Sequence, residues 1–517
     1  MRLIKAGLCL WLLVLASVTF ADPFKGFDAY VERAMQDWQI PGMALVVIDD
    51  GEIIYSQAYG VRMSGRPEPV NLDTVFALSS TGKAYTATLA ATLVDEGKLG
   101  WDDPVARHLD YVVLPDPWVT EQVTIRDMLS HRVAGDLGIG KLPLWSFTDL
   151  SRVEVLSRLR FLEIGSPRFR GEFQYGNPNI SAVGQAAAAA VNRDWDALMQ
   201  ERILDALGMQ RASTNVTAIW DKADIAACYM CNLDHVPDPG SAKIDNIAMP
   251  HVSTDNGPVP IPWRTVDSVA PSGSINSTVM DFARFVELHL EQGEIDGKRI
   301  VSAKEVAEMH KPQIIVERPV YPALSGFSRH WSYGLGWFVT EYRGRKTVLH
   351  TGGVTGWRSG MVMLPEERLG VAMVSNSHGG ELPNTLVPAL AFKVFDLVLD
   401  LARTDHSAEW LAATRAALKA GSEAMAAARQ QRDLGVKPQV SPDDLSGTYT
   451  HPAFGELVIN GPGKEMIFAD VMSATLEHWQ GDRYLVTWRG PWNYPTFLEA
   501  NPNKINIEGF GVFKRKQ

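Results

Sequence analysis

The amino-acid sequence predicts an α+β protein, an α/β sandwich in which helices flank an antiparallel sheet, with a mostly helical subdomain and a small all-β domain of barrel type after it. Strand-like segments with short turns occupy residues 333–377, and short turns imply antiparallel pairing. Helical segments separated by loops rich in proline and glycine fill residues 101–330. Short strands with turns such as INGPGK and WQGDR fill residues 445–517.

The first 21 residues predict a secretory signal peptide. Basic Arg2 and Lys5 precede an apolar run and small residues, and we expect cleavage between Ala21 and Asp22. An uncleaved membrane anchor is the alternative, which the short apolar run disfavours. We therefore expect a periplasmic or secreted protein with no transmembrane segment after cleavage.

Composition excludes some classes of partner. The 517 residues are 46% hydrophobic and 21% charged, as in folded globular proteins. Loss of Arg2 and Lys5 leaves 47 basic residues (49 − 2) against 60 acidic ones, a net charge of about −13. An acidic chain without a basic stripe is not expected to bind nucleic acid or anionic lipid. The expected partner is a small-molecule or short-peptide substrate.

The predicted elements follow in order along a first domain, residues 22–402. A helix over 24–40 precedes a β-hairpin in MALVVIDDGEIIYSQAYG, where Asp-Asp-Gly supplies the turn. The loop over roughly 232–272 shows little periodicity, and long loops of this kind in enzymes often line a site. A helix in LVPALAFKVFDLVLDLA closes the domain.

Two segments follow the first domain. Residues 403–444 predict a helical linker, because AEWLAATRAALKAGSEAMAAARQQRD is rich in alanine and ends before the proline-containing VKPQVSPDD. Residues 445–517 predict a small β-barrel-like domain.

The two cysteines outside the signal peptide, Cys228 and Cys231, lie in ACYMCNLDH. They could close a small disulfide loop in an oxidising compartment. A metal site would need more ligands than two sulfurs and His235, and a redox motif would need a βαβ context. We expect a structural or incidental role and leave the disulfide open. No zinc spacing such as His-Glu-x-x-His occurs, so neither a metal nor a cofactor is expected.

The stretch FALSSTGKAYTATLAATLVDEGKLG carries the first chemical signal. Ser80 and Lys83 lie three residues apart, which places them on one face of a helix. No charged residue follows before Asp95, so the segment predicts a buried helix with one amine near its start and a stop at Gly97. A lysine in a dry pocket has a pKa below its usual value of about 10.4 and can activate a serine hydroxyl. Ser-x-x-Lys is a known serine-hydrolase signature.

Two further motifs occur once each: Tyr-Gly-Asn at 175–177 and His-Thr-Gly at 350–352. With flanking phrases such as TIRDMLSH, APSGSINSTVMDFARF and YGLGWF, the chain resembles the serine β-lactamase and penicillin-binding-protein superfamily. It is most similar to the branch of class C β-lactamases, D-alanyl-D-alanine peptidases, D-aminopeptidases and related esterases. The resemblance covers about residues 26–402, and the C-terminal segment resembles the lipocalin-like β domain of some members.

The resemblance implies three catalytic residues. Ser80 attacks the substrate carbonyl and becomes acylated, and water then hydrolyses the acyl-enzyme. Lys83 and Tyr175 share the proton transfers, with the phenol made more acidic by neighbouring cations.

The resemblance also implies the substrate-binding and oxyanion residues, which are Asn177, His350, Thr351, Gly352 and Gly353. Asn177 orients Lys83 and the substrate amide, and the oxyanion sits between the backbone N–H groups of Ser80 and Gly353.

The sequence departs from some relatives at two positions of this strand. His350 replaces the lysine of β-lactamases, and Gly353 stands where carboxylate-binding relatives often have Ser or Thr. Both changes favour a D-amino-acid peptidase or carboxylesterase over a β-lactamase or D-Ala-D-Ala carboxypeptidase. Arg358 could bind an anion, but we expect a solvated loop arginine.

The remaining alternative is of a different class: a non-catalytic protein or sensor that binds β-lactam or peptidoglycan. Taken singly, Lys83 could be a snorkelling lysine, Tyr175 a core tyrosine and His350 a strand residue. His131 is expected to be structural. The sequence leaves the substrate, the oligomeric state and the role of the C-terminal domain open.

Overall fold

A computed structural model describes the chain over residues 22–133, 148–162, 169–225, 236–317, 330–380, 382–433, 435–441, 443–461, 465–468, 472–489 and 495–516. The predicted signal peptide, Cys228, Cys231 and His235 lie outside these described residues.

The predicted α+β class is confirmed. An antiparallel sheet of eight strands has the order β2-β1-β14-β13-β12-β11-β10-β9, and a closed barrel of strands β16 to β23 follows it. The strands of the first part are β1 (Gly42–Asp49), β2 (Glu52–Gly60), β3 (Phe76–Ala77), β4 (His251–Thr254), β5 (Gly257–Pro260), β6 (Asn276–Ser277), β7 (Glu294–Ile295), β8 (Lys298–Arg299), β9 (Ile314–Ile315), β10 (Ser332–Tyr333), β11 (Phe338–Tyr342), β12 (Arg345–Val354), β13 (Trp357–Leu364), β14 (Leu369–Ser375) and β15 (Ser377–Gly380). The barrel strands are β16 (Gly447–His451), β17 (Gly455–Asn460), β18 (Glu465–Phe468), β19 (Met472–Gln480), β20 (Arg483–Trp488), β21 (Pro495–Asn501), β22 (Lys504–Ile507) and β23 (Gly511–Arg515).

Helices cover both faces of the large sheet and build a separate helical lobe. The α-helices are α1 (Phe27–Asp37), α2 (Gly82–Asp95), α3 (Pro117–Gln122), α4 (Ile125–Leu129), α5 (Arg152–Ser157), α6 (Asn177–Ala190), α7 (Trp195–Met199), α8 (Val279–Leu290), α9 (Ala303–Met309), α10 (Leu386–Val398) and α11 (His406–Gln431). Helix α8 packs on one face of β1 and β14, and α10 packs on the opposite face against β13 and β14. Strands β13 and β14 are therefore buried throughout.

The predicted hairpin joins β1 to β2. Asp49 pairs with Glu52, so the loop has two residues, Asp50 with φ 49° and Gly51 with φ 81°. Positive φ at both positions is the geometry of a type I′ turn, whose twist matches that of the strands. This explains why Asp-Gly is a dependable hairpin signal here.

Helix α2 is the predicted buried helix. Every residue from Gly82 to Leu93 is buried, and Lys83 has no exposed surface. The helix ends as predicted: Gly97 has φ 68°, and its N–H donates to the carbonyl of Val94.

The proline-rich loop predicted over 232–272 contains a short hairpin of β4 and β5 and a 3₁₀ segment, Asp267–Ser272. Its last residue, Ser272, accepts from Lys83 Nζ, and directly after the loop the Ile275 carbonyl accepts from the Leu78 N–H. The loop is therefore tied to the chain segment that carries Ser80.

Helix α11 leads from the sheet to the barrel. Its first turn is anchored, since Trp38 Nε1 donates to Ser407 Oγ at 3.1 Å and His406 Nε2 lies 3.0 Å from the buried Asp396. The barrel is filled by its own side chains, among them Tyr449, Phe468 and Phe513. None of the helices in the described part of the chain combines the length and apolarity needed to cross a membrane.

Candidate active site

Ser80 and Lys83 meet at the start of α2. Ser80 lies in a 3₁₀ turn, Ser79–Thr81, that runs directly into the helix, and Lys83 Nζ is 3.0 Å from Ser80 Oγ. Nζ also donates to the carbonyl of Ser272 at 2.9 Å. Burial lowers the pKa of Lys83 well below its usual value, which favours the neutral amine. A neutral amine next to a serine hydroxyl can accept its proton.

Backbone packing holds the turn that carries Ser80. Ser79 adopts a left-handed conformation with φ 53°, which is unfavourable for a residue other than glycine. A Cβ at Gly352 would lie 2.1 Å from the carbonyl oxygen of Leu78, and a Cβ at Gly273 would lie 2.9 Å from Ser79 C. Only glycine allows both segments to approach this closely. The glycine of the predicted His-Thr-Gly motif thus brings β12 against the turn that carries Ser80.

Tyr175 lies on the other side of the lysine. The centre of its half-buried ring is 4.7 Å from Lys83 Nζ and 4.6 Å from the centre of the His131 ring. The structure therefore brings together Ser80, Lys83 and Tyr175, although almost a hundred residues separate Tyr175 from the other two.

His350 is held in one neutral form. Its Nδ1 lies 2.9 Å from the carbonyl of Thr351, which only accepts hydrogen bonds, so Nδ1 carries the proton. Its Nε2 then accepts from the hydroxyl of Tyr333 at 3.0 Å. Burial, with contributions from Lys83 and Arg358, lowers the pKa of His350 to about 3. Burial thus favours the neutral form of both Lys83 and His350.

A buried carboxylate supports the segment that leads to Tyr175. Asp127 has no exposed surface and is paired with Arg132 and with Arg170, whose Nη2 lies 2.8 Å from Oδ2. Burial alone would raise the pKa of Asp127, but hydrogen bonds from Arg170 and Thr124 and the charge of Arg132 outweigh it and hold that pKa below its usual range. The Arg170 N–H also donates to the carbonyl of Arg132 at 2.8 Å.

His131 completes this support. Its carbonyl accepts from the Gln174 N–H at 2.7 Å, and its Nδ1 accepts from the Gly176 N–H at 3.3 Å. Two hydrogen bonds thus flank Tyr175 and fix the backbone on both sides of it. His131 keeps the structural role expected of it, although it lies next to the site.

The arginine near the strand motif is buried. Arg358 lies on β13 opposite Gly353 and is only 3% exposed, so the expectation of a solvated loop arginine is wrong. The physical reason is strand register: a short turn joins β12 to β13, and the pairing of Arg358 with Gly353 places this arginine in the sheet and not in a loop. A Cβ at Gly353 would lie 2.6 Å from Arg358 Nη1 and 3.1 Å from His378 Nε2.

The remaining predicted site residues, Asn177, Thr351 and Gly353, lie next to residues already described. Asn177 is the first residue of α6 and is buried two residues after Tyr175. Thr351 and Gly353 lie on β12, on either side of Gly352. Four other residues near the site belong to none of the three motifs and were not predicted to lie there: Asp127, His131, Tyr333 and Arg358. TIRDMLSH, which contains Asp127 and His131, was the available signal for two of them.

An α/β sandwich with a serine and a buried lysine at the start of a central helix defines the serine hydrolases of the β-lactamase fold. The family model described as Beta-lactamase matches residues 27–394, and the chain belongs to this family. Its members are serine hydrolases, and the predicted resemblance is confirmed.

Individual relatives cover most of the chain. The unguisins hydrolase ungD' of Aspergillus campestris is 25% identical over 480 residues, 88% of this chain and 81% of that protein. The D-aminopeptidase of Brucella anthropi is 22% identical over 388 residues, 74% of this chain and 63% of that protein. The octameric penicillin-binding protein homologue from Pyrococcus abyssi has a similar fold, with a TM-score of 0.60, 18% identity and coverage of 95% of this chain and 99% of that one.

Among the residues that the structure describes, no group of three or more His, Cys, Asp or Glu side chains is arranged to hold a metal ion.

Replacement of Gly352 by alanine tests the contact between β12 and the turn that carries Ser80. The added Cβ would collide with the Leu78 carbonyl, and we expect the rate of Ser80 labelling by a fluorophosphonate to fall about 10²-fold, as for a displacement of about 1 Å. Gly421→Ala on α11 is the control, because a Cβ there meets nothing within 4 Å. Unchanged labelling of Gly352→Ala would show that this contact does not position Ser80.

Asp127→Ala tests the support of the Tyr175 segment. Removing a buried carboxylate that faces two arginines should cost about 3 kcal/mol of unfolding free energy, with Arg170's partial exposure keeping the loss near the lower end of the usual range. Urea unfolding measures the loss. The exposed Asp221, paired with Lys243, supplies the control Asp221→Ala, which should change stability by less than about 0.5 kcal/mol. Equal stability of the two variants would refute the role of Asp127.

Proposed function

We propose that this protein is a periplasmic or secreted serine hydrolase that cleaves an amide or ester bond through an acyl-enzyme on Ser80. The substrate is a D-amino-acid peptide or a carboxylic ester. The observation that carries the proposal is the 3.0 Å contact between Ser80 Oγ and the fully buried Lys83 Nζ. A lysine amine held out of water next to a hydroxyl has the properties of a general base.

In the acylation step, Ser80 Oγ attacks the carbonyl carbon while its proton passes to Lys83 Nζ. The carbonyl oxygen gains negative charge and is stabilised by the backbone N–H groups of Ser80 and Gly353. The proton then travels by way of Tyr175 to the leaving amine or alcohol, and the bond to the leaving group breaks. Asn177 and the strand residues His350, Thr351 and Gly352 align the substrate.

In the deacylation step, a water molecule attacks the ester carbonyl of the acyl-enzyme. The same amine and phenol take the water proton and return one to Ser80 Oγ, so the enzyme is regenerated with its original protonation. Catalysis then needs no group beyond the chain's own side chains.

Two features support a peptidase or esterase over a β-lactamase. His350 is neutral and hydrogen-bonded through both nitrogens, so it offers no positive charge to a substrate carboxylate. Gly353 has no hydroxyl to donate. A relative named as a D-aminopeptidase supports D-amino-acid substrates.

A β-lactamase or D-Ala-D-Ala carboxypeptidase is the second candidate, and one observation favours it. The buried Arg358 places a guanidinium nitrogen beside Gly353, and a substrate carboxylate could use that cation. Sustained nitrocefin hydrolysis would favour a β-lactamase, whereas slow acylation without turnover would favour a peptidase or an esterase.

A substrate panel is the direct test of the proposed function. It comprises p-nitrophenyl esters, D- and L-aminoacyl anilides, D-Ala-D-Ala peptides and nitrocefin, with Ser80→Ala as the blank. Labelling by a fluorophosphonate probe tests the non-catalytic alternative, a binding protein or sensor, because an intact protein that is not labelled would support it.

Ser80→Ala is expected to abolish hydrolysis of every turned-over substrate. The change removes one of the two hydrogen-bond partners of the buried Lys83 Nζ but leaves the Ser272 carbonyl in place, so the unfolding free energy should fall by about 1 kcal/mol. The neighbouring Ser79→Ala is the matched control and should retain activity, because the buried Ser79 Oγ has no hydrogen-bond partner in the described residues. Wild-type activity in Ser80→Ala would refute the assignment.

The lowered pKa of Lys83 predicts a pH profile. Because burial shifts its pKa down, the neutral, proton-accepting amine is present at lower pH than for an exposed lysine. Labelling of Ser80 should therefore rise with pH and level off well below pH 10.5. A rate that keeps climbing to that pH would mean that Lys83 is charged in the resting enzyme, and the proposed base would be wrong.

A further inference from the structure

A small cavity opens beside the segments that carry the two proposed oxyanion N–H groups. On one wall is Gly273, where a Cβ would lie 3.2 Å from the backbone nitrogen of Ser80. The opposite wall contains Val354, which follows Gly353 directly, and Thr355. Through Gly273 and Val354 the cavity adjoins both of the segments that carry these N–H groups.

The cavity is small. Its volume is about 20 Å³, and a site for one water molecule needs roughly 10–15 Å³. It therefore has room for one group of the size of a methyl or an ammonium and excludes a long acyl chain. Val216 and Ala77 are among the apolar residues that limit it.

One wall of the cavity carries a carboxylate, Asp267, from the loop that the sequence predicts to line a site. Its Oδ1 is buried and accepts no hydrogen bond from the described residues. The nearby Arg152 donates from Nε to the backbone carbonyl of Asp267, but its Nη2 pairs with Asp196 at 2.7 Å, so its charge is balanced elsewhere. Burial raises the pKa of Asp267, and a hydrogen bond with Thr265 and the charge of Arg152 offset only part of that rise.

A second charged residue, Arg264, also lines the cavity. It has interactions of its own, and its charge is not among the influences on the Asp267 carboxyl. The side of the cavity at Asp267 is therefore the one that a cationic group would occupy. A buried carboxylate gains most from a partner that is both charged and a hydrogen-bond donor.

We propose that this cavity receives the α-ammonium group of the substrate's acyl part, with Asp267 as its counterion. The substrates are then α-aminoacyl amides or esters with a free amino group. This inference rests on the proposed function, because it places the acyl group on Ser80.

Two boronic acids of equal size test the inference without requiring turnover. 1-Aminoethylboronic acid and isopropylboronic acid differ only in an ammonium group that replaces a methyl group. Each can form a reversible adduct in which Ser80 Oγ bonds to boron and gives up its proton to Lys83. Titration calorimetry on the full-length protein measures the Kd of both compounds for the wild type, Asp267→Asn, Asp221→Asn and Ser80→Ala.

The wild type should bind the amino compound about tenfold more tightly or better, which is the range for a hydrogen-bonded charge pair. Asp267→Asn should lose this preference and keep its Kd for isopropylboronic acid, which shows that the variant is folded. Asp221→Asn removes an exposed acid and should behave as the wild type.

The outcomes separate the two proposals. Equal binding of both compounds by the wild type, tighter binding of the isopropyl compound, or a preference that survives in Asp267→Asn overturns the inference and leaves the proposed function standing. Failure of both compounds to bind the wild type, or equal binding by Ser80→Ala, overturns the proposed function and the inference with it.

Discussion

The site depends on an amine kept out of water. Lys83 has no exposed surface, and a lysine in such a position is unfavourable unless it is neutral and its hydrogen bonds are satisfied. The Ser272 carbonyl and the Ser80 hydroxyl meet that requirement. The same contacts explain why α2 is buried almost along its whole length: the helix must lie deep enough to hold its first turn in a dry environment.

The surroundings of this amine are uncharged on several sides. His131 and His350 both have lowered pKa values, and burial is the main cause in each case. The ionised groups that hold the segment before Tyr175, Asp127 with Arg132 and Arg170, are set back from the amine by His131. Charged pairs thus hold the scaffold, while the proposed reacting groups meet in a pocket of neutral groups, where proton transfer between them would need little reorganisation.

Sequence patterns predicted the fold class and the residues that share a motif, because helix spacing, strand alternation and turn chemistry are local properties. The three-residue spacing predicted that Ser80 and Lys83 lie on one helix face, and the family resemblance identified Tyr175 and His350. They could not reveal Tyr333 as the partner of His350 or the burial of Arg358, since both depend on strand register across the sheet. The place of Asp267 was equally hidden, because only the folded loop brings it to the cavity that Gly273 and Val354 also line.

The long sequence separations within the site have a consequence for how the protein is made. Lys83 bonds to a carbonyl 189 residues later, and Ser359 Oγ donates to the Leu78 carbonyl across 281 residues. The ribosome synthesises Ser80 early and strands β12 and β13 much later. A nascent chain therefore contains Ser80 and Lys83 before the strands that position them exist. The arrangement of Ser80, Lys83 and β12 can therefore form only after the late strands have been made and have packed against the early turn.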